Sequence, residues 1–207
     1  MRIPRPSSSS LPSARDRILN KAQALFYQNG VRGTGVDRII AEASVTKVTF
    51  YRHFPSKDDL VLAYLEHRHA AWTAWFREAL VAARADQSED ERQNAPLAPL
   101  LDAARAWFAT ADFRGCAFAN TVAEAGQSVP GITGIATRHK QEVRDAIAAL
   151  LPATDARAET AWAATLALDG AAVNAQLSPP AAEAALAGLR VILDALERER
   201  AVIPSRR

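Results

Sequence analysis

The segment ASVTKVTFYRHFPSKDDL, residues 43–60, sets two phenylalanines and a tyrosine among lysine, arginine and histidine side chains. A helix in the middle of this segment must end before its proline, because the residue that precedes a proline disfavours the helical conformation. At about 100° per residue, Phe50 and Phe54 share one face of that helix, while Val48 and Arg52 lie on the opposite face. The segment therefore predicts a short helix with an apolar inner face and a basic outer face.

Three signatures of a helix start surround this segment, each a hydroxyl residue followed three positions later by an acid. The hydroxyl can cap free backbone N–H groups, and the acid favours the positive end of the helix dipole. The pairs are Ser13 with Asp16, Thr34 with Asp37, and Ser56 with Asp59. Together with the apolar spacing they predict helices over about 14–28, 36–43 and 46–53, and a long helix from 56 to about 84.

Two short helices joined by a tight turn, the second with cations on its outer face, indicate a helix-turn-helix whose second helix enters the major groove of DNA. In the first turn, a valine or threonine methyl group can pack on a thymine methyl group. The cations further along would meet phosphates, and one of them at the next helix start would share a phosphate with free amides. The predicted DNA contacts are Thr34, Thr46, Lys47, Val48, Thr49, Tyr51, Arg52, His53 and Lys57.

The charge distribution supports a polyanion partner for the front of the chain. Residues 1–70 hold 11 Lys and Arg against 6 Asp and Glu, although the net charge of the whole chain is only +2. A basic front end on a mildly acidic body predicts that the front end alone meets the polyanion. Arg2 and Arg5 lie in a Pro- and Ser-rich stretch that we predict to be a disordered arm over residues 1–12.

The remainder of the chain keeps helical apolar spacing, with no sustained period of two. A polar run at 85–95 predicts a solvated loop. Beyond it we predict helices at about 97–110, 117–125, 129–151, 155–177 and 180–201. The fold class is therefore all-α with about nine helices: an N-terminal three-helix helix-turn-helix domain at 13–58 and a C-terminal helical domain at 59–203.

Several other classes of protein receive no support from the sequence. No stretch reaches the roughly 20 apolar residues that a spanning helix needs, and the single cysteine favours a reducing, cytoplasmic location. His67 and His69 point to opposite faces of one helix, so we predict no metal site, and we predict no cofactor. Cys116 has only Arg114 as a nearby cation in the sequence, and we predict it to be a small buried residue. A helical enzyme and a protein-binding adaptor stay open as alternatives.

Residues from about 18 to 65 resemble the DNA-binding domain of the TetR family of transcriptional repressors. The resemblance rests on Leu25-Phe26, on Gly30 and Thr34, and on the run from Phe50-Tyr51 to Phe54-Pro55-Ser56-Lys57. The later stretch RGCAFANTVAEAG, residues 114–126, is similar to part of some members' ligand-binding domains. Two positions depart from the pattern, because Ser44 and Val48 stand where the family often has glycine.

The resemblance implies that the C-terminal domain binds a small-molecule inducer and forms a homodimer, and that the dimer binds a near-palindromic double-stranded DNA operator. Aromatic residues and a few polar groups commonly line such pockets. The candidate ligand contacts are Trp72, Trp75, Phe76, Trp107, Phe108, Phe118, Asn120, His139, Trp162 and Asn174. Dimerisation is predicted through the last two helices, around Leu166, Val173 and Leu177 on one and Leu186, Leu189, Ile192 and Leu193 on the other.

Overall fold

The computed structural model describes residues 12–202, with side chains described to residue 199, and all regular secondary structure in that range is helical. Within it, no helix is both long and apolar enough to span a membrane. The ten helices are α1 Ala14–Asn29, α2 Val36–Ala43, α3 Lys47–His53, α4 Lys57–Ala85, α5 Glu89–Asn94, α6 Ala98–Phe108, α7 Ala117–Ala125, α8 Ile132–Ala148, α9 Arg157–Ala175 and α10 Pro179–Val202. The all-α prediction is confirmed; apart from Pro12, the predicted arm lies outside the described residues.

Two of the three predicted helix caps are confirmed. The Ser13 hydroxyl accepts a 3.2 Å hydrogen bond from the backbone N–H of Asp16 at the start of α1. The Ser56 hydroxyl accepts a 3.0 Å hydrogen bond from the backbone N–H of Asp59 at the start of α4. The third is wrong, because the residue that caps α2 is Gly35, which has no side chain to bond.

The prediction of a loop throughout 85–95 is also wrong, because α5 lies within it. Ser88 and Glu91 form a reciprocal capping box: the Ser88 hydroxyl accepts from the Glu91 N–H, and the Glu91 carboxylate accepts from the Ser88 N–H. The Ser88 N–H and the Ser88 hydroxyl both donate to the Glu91 carboxylate, and these two bonds hold the pKa of Glu91 below its ordinary value. The two reciprocal bonds start a short helix in a segment with no buried residue.

Helices α1, α2 and α3 pack on one another around an apolar centre. Its fully buried members include Ile18 on α1, Ile39 on α2 and Phe50 on α3. The tight turn after α2 uses Ser44 in the left-handed conformation, with φ 52° and ψ 51°. The backbone N–H of Ser44 donates to Ala41 and that of Val45 donates to Ile40, which is the Schellman pattern of helix termination.

The chain divides into two compact units. The first contains residues up to Trp72 together with Ala117–His139, and therefore α1–α3, the start of α4, α7 and the start of α8. The second contains Thr73–Cys116 and the chain from Lys140 onward, including α6, α9 and α10. In the second unit α9 packs along α10, and α6 packs on both.

Candidate nucleic-acid interface

The outer face of α3 is exposed and carries basic groups around one large apolar side chain. Val48 is 70% exposed and Tyr51 is 42% exposed, and the side chains of Lys47 and Arg52 are also exposed. His53 is half-buried at the C-terminal end of the helix. This face therefore combines an exposed valine with cations, a composition that suits contact with a polyanion.

The inner face of α3 is fixed by aromatic packing and by α1. Phe50 and Phe54 are both buried, and their ring centroids lie 6.3 Å apart. The Arg15 guanidinium lies over the Phe54 ring at 5.2 Å from the centroid. The Nε of Arg17 donates a 3.2 Å hydrogen bond to the carbonyl of Ala43, at the end of α2. The prediction that Phe50 and Phe54 face the core is confirmed, and these contacts hold the outer face in a fixed orientation.

The first turn of α3 is closed by two threonines. Thr46 is the N-cap, and its hydroxyl accepts a 3.1 Å hydrogen bond from the backbone N–H of Thr49. The two threonine hydroxyls also lie 2.9 Å apart in hydrogen-bonding geometry. As the cap residue Thr46 has non-helical dihedral angles, and its side chain is exposed.

Lys57 is the first residue of α4, directly after the cap Ser56, and its side chain is half-buried. Free backbone N–H groups at a helix start attract anions, and an ammonium group beside them adds to that attraction. The placement predicted for Lys57 on the next helix is thus found in the structure.

Thr34 is fully buried, with no exposed fraction. Its hydroxyl donates a 2.8 Å hydrogen bond to the carbonyl of Gly30 and lies 3.3 Å from that of Leu25. The hydroxyl therefore closes the turn after α1 and has no route to a phosphate. We remove Thr34 from the candidate interface.

A contact that the sequence did not indicate joins α7 to the turn between α1 and α2. The Glu124 carboxylate accepts a 3.0 Å hydrogen bond from the backbone N–H of Arg32. Glu124 lies within the stretch that resembles ligand-binding domains, but no local pattern pairs it with a residue 92 positions earlier.

Three of the candidate ligand residues lie together in the first unit, around a histidine pair. The His139 ring stacks on Phe118, with centroids 3.7 Å apart, and meets Trp72 edge-on at 5.0 Å. The Nδ1 atoms of His69 and His139 are 3.3 Å apart, so one imidazole donates and the other accepts. We call His69, Trp72, Phe118 and His139 the aromatic–histidine cluster. The sequence did not indicate His69 as a member, because its partner His139 lies 70 positions further along the chain.

A second aromatic group lies in the second unit. Trp107 and Phe108 at the end of α6 both contact Phe113, with ring centroids 5.4 and 5.0 Å apart. Phe76 is buried and packs against the half-buried Trp75. The ten candidate ligand residues thus fall in two separate units.

The remaining candidates have different surroundings. Trp162 is 49% exposed on α9, with the Arg144 guanidinium 4.3 Å above its ring. Asn174 is exposed and donates a 2.8 Å hydrogen bond to the carbonyl of Gly170 on the same helix. Asn120 is half-buried on α7. Trp162 and Asn174 therefore belong to the surface of α9 and not to an enclosed group.

Comparison with known proteins identifies the N-terminal helices. Residues 18–64 match the family model described as "Bacterial regulatory proteins, tetR family". The crystal structure of SCO4454, a TetR-family transcriptional regulator from Streptomyces coelicolor, is 31% identical, with a TM-score of 0.72. The similarity covers 89% of this chain and 96% of that one.

Curated relatives match over shorter stretches. An uncharacterized HTH-type transcriptional regulator of Lactococcus lactis is 28% identical over 93 residues, which is 45% of this chain and 44% of that protein. The HTH-type transcriptional repressor NemR of Escherichia coli is 33% identical over 66 residues, 32% of this chain and 33% of that protein. The chain thus spans less than half the length of these curated relatives.

The match with SCO4454 extends over almost the whole of both chains, and the family model covers the helices that build the basic face of α3. The chain therefore belongs to the TetR family of transcriptional regulators, and its N-terminal helices form that family's helix-turn-helix DNA-binding segment.

Proposed function

We propose that the protein is a homodimeric transcriptional repressor that binds a near-palindromic DNA operator through α3 and is released when a small molecule binds the helices that follow. In this proposal residues 13–58 bind DNA, residues 59–203 bind the ligand and dimerise, and the protein acts in the cytoplasm. The observation that carries the proposal is the outer face of α3, where an accessible valine lies among cations while the phenylalanines opposite are buried.

The proposed DNA contacts divide by chemistry. Val48 and the methyl group of Thr49 contact base edges in the major groove, where an apolar group can recognise a thymine methyl. Lys47, in the same turn, reaches a base or the adjacent phosphate. The other contacts go to the phosphate backbone and position the helix without carrying sequence information. The proposed interface is Thr46, Lys47, Val48, Thr49, Tyr51, Arg52, His53 and Lys57.

Dimerisation is supported by an exposed apolar face on α9 and the residues after it. Trp162, Leu166, Val173 and Leu177 are large, exposed and aligned at helical spacing. On α10, Val191 and Ile192 are also exposed. Such a contiguous apolar face on a monomer is typical of a protein–protein interface.

Part of the predicted dimer face does not take part in this surface. Leu186, Leu189 and Leu193 on α10 are buried within the subunit, where α10 packs against α9 and α6. Their spacing was correct for an apolar face, but that face meets helices of the same chain. The proposed interface is therefore formed mainly by α9, with Val191 and Ile192 from α10.

We further propose that the aromatic–histidine cluster contributes to effector binding. Its two imidazoles are polar groups set among aromatic rings, which suits a ligand with an apolar ring and one or two hydrogen-bonding groups. In the dimer, each subunit contributes one α3 helix. A ligand that stabilises a dimer conformation with a different separation between these two helices, by roughly 1–3 kcal/mol, would weaken operator binding about 5- to 150-fold.

We propose that the protein represses transcription because one relative, which matches this chain over the DNA-binding segment, is named a repressor. The enzyme and adaptor alternatives receive no support from family membership.

Selection from a random duplex DNA library tests the proposal. A dimer should enrich two inverted half-sites centred about 10 base pairs apart, or a multiple of that, because two recognition helices occupy successive major grooves. A control library exposed to Val48→Asp protein should show no enrichment. Recovery of unrelated sequences by both proteins would reject the operator proposal.

A further inference from the structure

His69 on α4 and His139 on α8 face each other inside the first unit. The exposed fraction is 8% for His69 and 2% for His139. Their ring centroids are 5.6 Å apart, and subtracting the 3.3 Å between the two Nδ1 atoms leaves 2.3 Å. This remainder is about twice the distance from the centre of an imidazole ring to its own nitrogen. Each Nδ1 atom therefore lies almost on the line between the two rings, and the two nitrogens point directly at each other.

The protonation of the two rings decides what this pair can bind. In a neutral imidazole, one nitrogen carries a proton and donates, and the other accepts. With a proton on one of the two Nδ1 atoms, the pair forms an N–H···N hydrogen bond. When both rings carry their proton on Nε2, both Nδ1 lone pairs point into the same space, and a neutral imidazole nitrogen is a common metal ligand. The pair then offers two metal-binding nitrogens in a straight line.

The number and type of the donors indicate which ions fit. The pair supplies two neutral nitrogens, and among the described residues no group of three or more His, Cys, Asp or Glu side chains is placed to hold a metal ion. A structural zinc ion takes four ligands, and calcium and magnesium prefer oxygen. Imidazole is a good ligand for copper. Copper(I) and silver(I), which have a filled d shell, accept two nitrogen donors in a line.

The surroundings of the pair favour a singly charged ion. The ring of His139 stacks on Phe118 with centroids 3.7 Å apart, and Trp72 meets it edge-on at 5.0 Å. Transfer of an ion from water into such an apolar interior is costly, and the cost grows with the charge of the ion. The negative faces of nearby aromatic rings attract a cation and offset part of that cost. A monovalent ion is therefore favoured over a divalent one.

Binding of one ion requires little movement of the two rings. Bonds from a metal to imidazole nitrogen are about 2 Å long, so two of them in a line need about 4 Å between the nitrogens. The present separation of 3.3 Å must therefore increase by about 0.7 Å, which the two side chains share.

We propose that His69 and His139 bind one copper(I) or silver(I) ion between their Nδ1 atoms in linear, two-coordinate geometry. Binding changes no oxidation state: the ion exchanges water for two nitrogens, and one imidazole proton moves from Nδ1 to Nε2 through solvent. The proposal goes beyond the effector response proposed above, because ion binding is a property of the pair and is measured without DNA. The sequence predicted no metal site from the relation of His67 to His69, whereas this site pairs His69 with a histidine 70 positions away.

Silver(I) is the probe for the test, because it is stable in air. The sequence predicted that Cys116 is buried, but it is half-buried with a free thiol that would also bind silver. Every protein in the test therefore carries Cys116→Ser. Calorimetric titration at pH 7 in chloride-free buffer should show one silver ion bound per chain. Adding His69→Gln or His139→Gln should lower the affinity at least about 100-fold, because even changes outside the ligand shell cost about 10- to 100-fold.

His67→Gln is the matched control, since His67 is an exposed histidine on α4 two residues before His69. In the Cys116→Ser background this change should leave the silver affinity unaltered. Equal losses from His67→Gln and His69→Gln, or no loss from His69→Gln, would overturn the inference. Zinc(II) should bind more weakly than silver, because two neutral donors leave it short of ligands. Zinc binding as tight as that of silver would also overturn the inference.

A spectroscopic measurement keeps the test decisive if a variant does not fold. The nuclear magnetic resonance spectrum of Cys116→Ser protein with isotope-labelled histidine reports each imidazole nitrogen separately. One equivalent of silver should shift the Nδ1 resonances of His69 and His139 and leave those of His53 and His67 in place. Equal shifts in all four histidines, or none in His69 and His139, would overturn the inference.

Failure of this inference is distinguishable from failure of the proposed function. If operator binding is specific but silver binding does not depend on His69 or His139, then the ion site fails and the DNA proposal stands. If silver binds through this pair but no operator is selected from the DNA library, then the DNA proposal fails and the ion site stands.

Discussion

The carboxylate of Glu124, near the C-terminal end of α7, accepts a 3.0 Å hydrogen bond from the backbone N–H of Arg32, in the turn between α1 and α2. The same two carboxylate oxygens lie 2.8 Å from the place that a Cβ on Gly30 would occupy. Position 30, where α1 ends, has φ +77° and leaves no room for a Cβ atom. Both the backbone conformation and the surrounding atoms therefore favour glycine there. This hydrogen bond connects α7 to the turn between α1 and α2, directly before the helix-turn-helix.

Replacement of Glu124 by alanine should remove this charged hydrogen bond and lower the free energy of unfolding by about 1–2 kcal/mol. Glu124→Gln should lose less, because the amide oxygen still accepts. The measurement is urea denaturation at pH 7, with Glu78→Ala as the control, since Glu78 is an exposed acid on α4. Equal losses in Glu124→Ala and Glu78→Ala would show that the contact does not stabilise the fold.

The left-handed conformation of Ser44, in the turn before α3, predicts how substitutions at position 44 rank in stability. Ser44 holds φ 52°, a conformation that costs L-residues roughly 1 kcal/mol and glycine almost nothing. Ser44→Gly should therefore be at least as stable as the unchanged protein, whereas Ser44→Val should be less stable by about 1–2 kcal/mol because a β-branched side chain tolerates this region poorly. Thermal unfolding of the three proteins checks the order. A valine variant as stable as the glycine variant would contradict the assigned turn.

Val48 should recognise a thymine methyl group. Replacing the contacted thymine by uracil in a selected operator should weaken binding about three- to fivefold, the value of one buried methyl. The same DNA change should have little effect on Val48→Gly protein, which lacks the contacting side chain. If the replacement of thymine by uracil weakens the binding of both proteins equally at every position, then Val48 does not take part in base recognition.

The exposed face of α9 should be required for self-association. Val173→Asp places a charge in the proposed interface and should convert a dimer into a monomer, because an unpaired buried charge costs several kcal/mol. Val81→Asp is the matched control, since Val81 is 69% exposed on α4 and Val173 is 57% exposed. Sedimentation velocity at micromolar concentration distinguishes the species. Dissociation by both changes, or by neither, would locate the interface elsewhere.

Local patterns were enough to predict much of the DNA-binding segment. The spacing of Phe50 and Phe54 predicted the inner face of α3, because periodicity reports burial directly. The sequence could not distinguish Thr34 from Gly35 as the cap of α2, since Thr34 uses its hydroxyl on backbone carbonyls instead. The capping box at Ser88 was hidden by the polar composition around it.

Long-range pairs could not be read from one sequence. His69 and His139 are 70 positions apart, and Lys140 pairs with Asp169, which lies 29 positions later. Helical spacing reports which face of a helix is apolar, but not which neighbour covers it. For that reason Leu189 was predicted at a dimer interface, although it packs within the subunit.

The most direct test of the account is the salt dependence of operator binding, measured by fluorescence anisotropy with a selected duplex. Specific binding should weaken steeply with salt, and Arg52→Ala combined with Lys57→Ala should reduce the slope of log K against log salt by about 1.8, because two phosphate contacts are lost. The control, Arg105→Ala combined with Arg190→Ala, removes two exposed charges from α6 and α10 and should leave the slope unchanged. An unchanged affinity and slope in the Arg52 and Lys57 variant would contradict the assignment of α3 and the start of α4 as the DNA-binding surface.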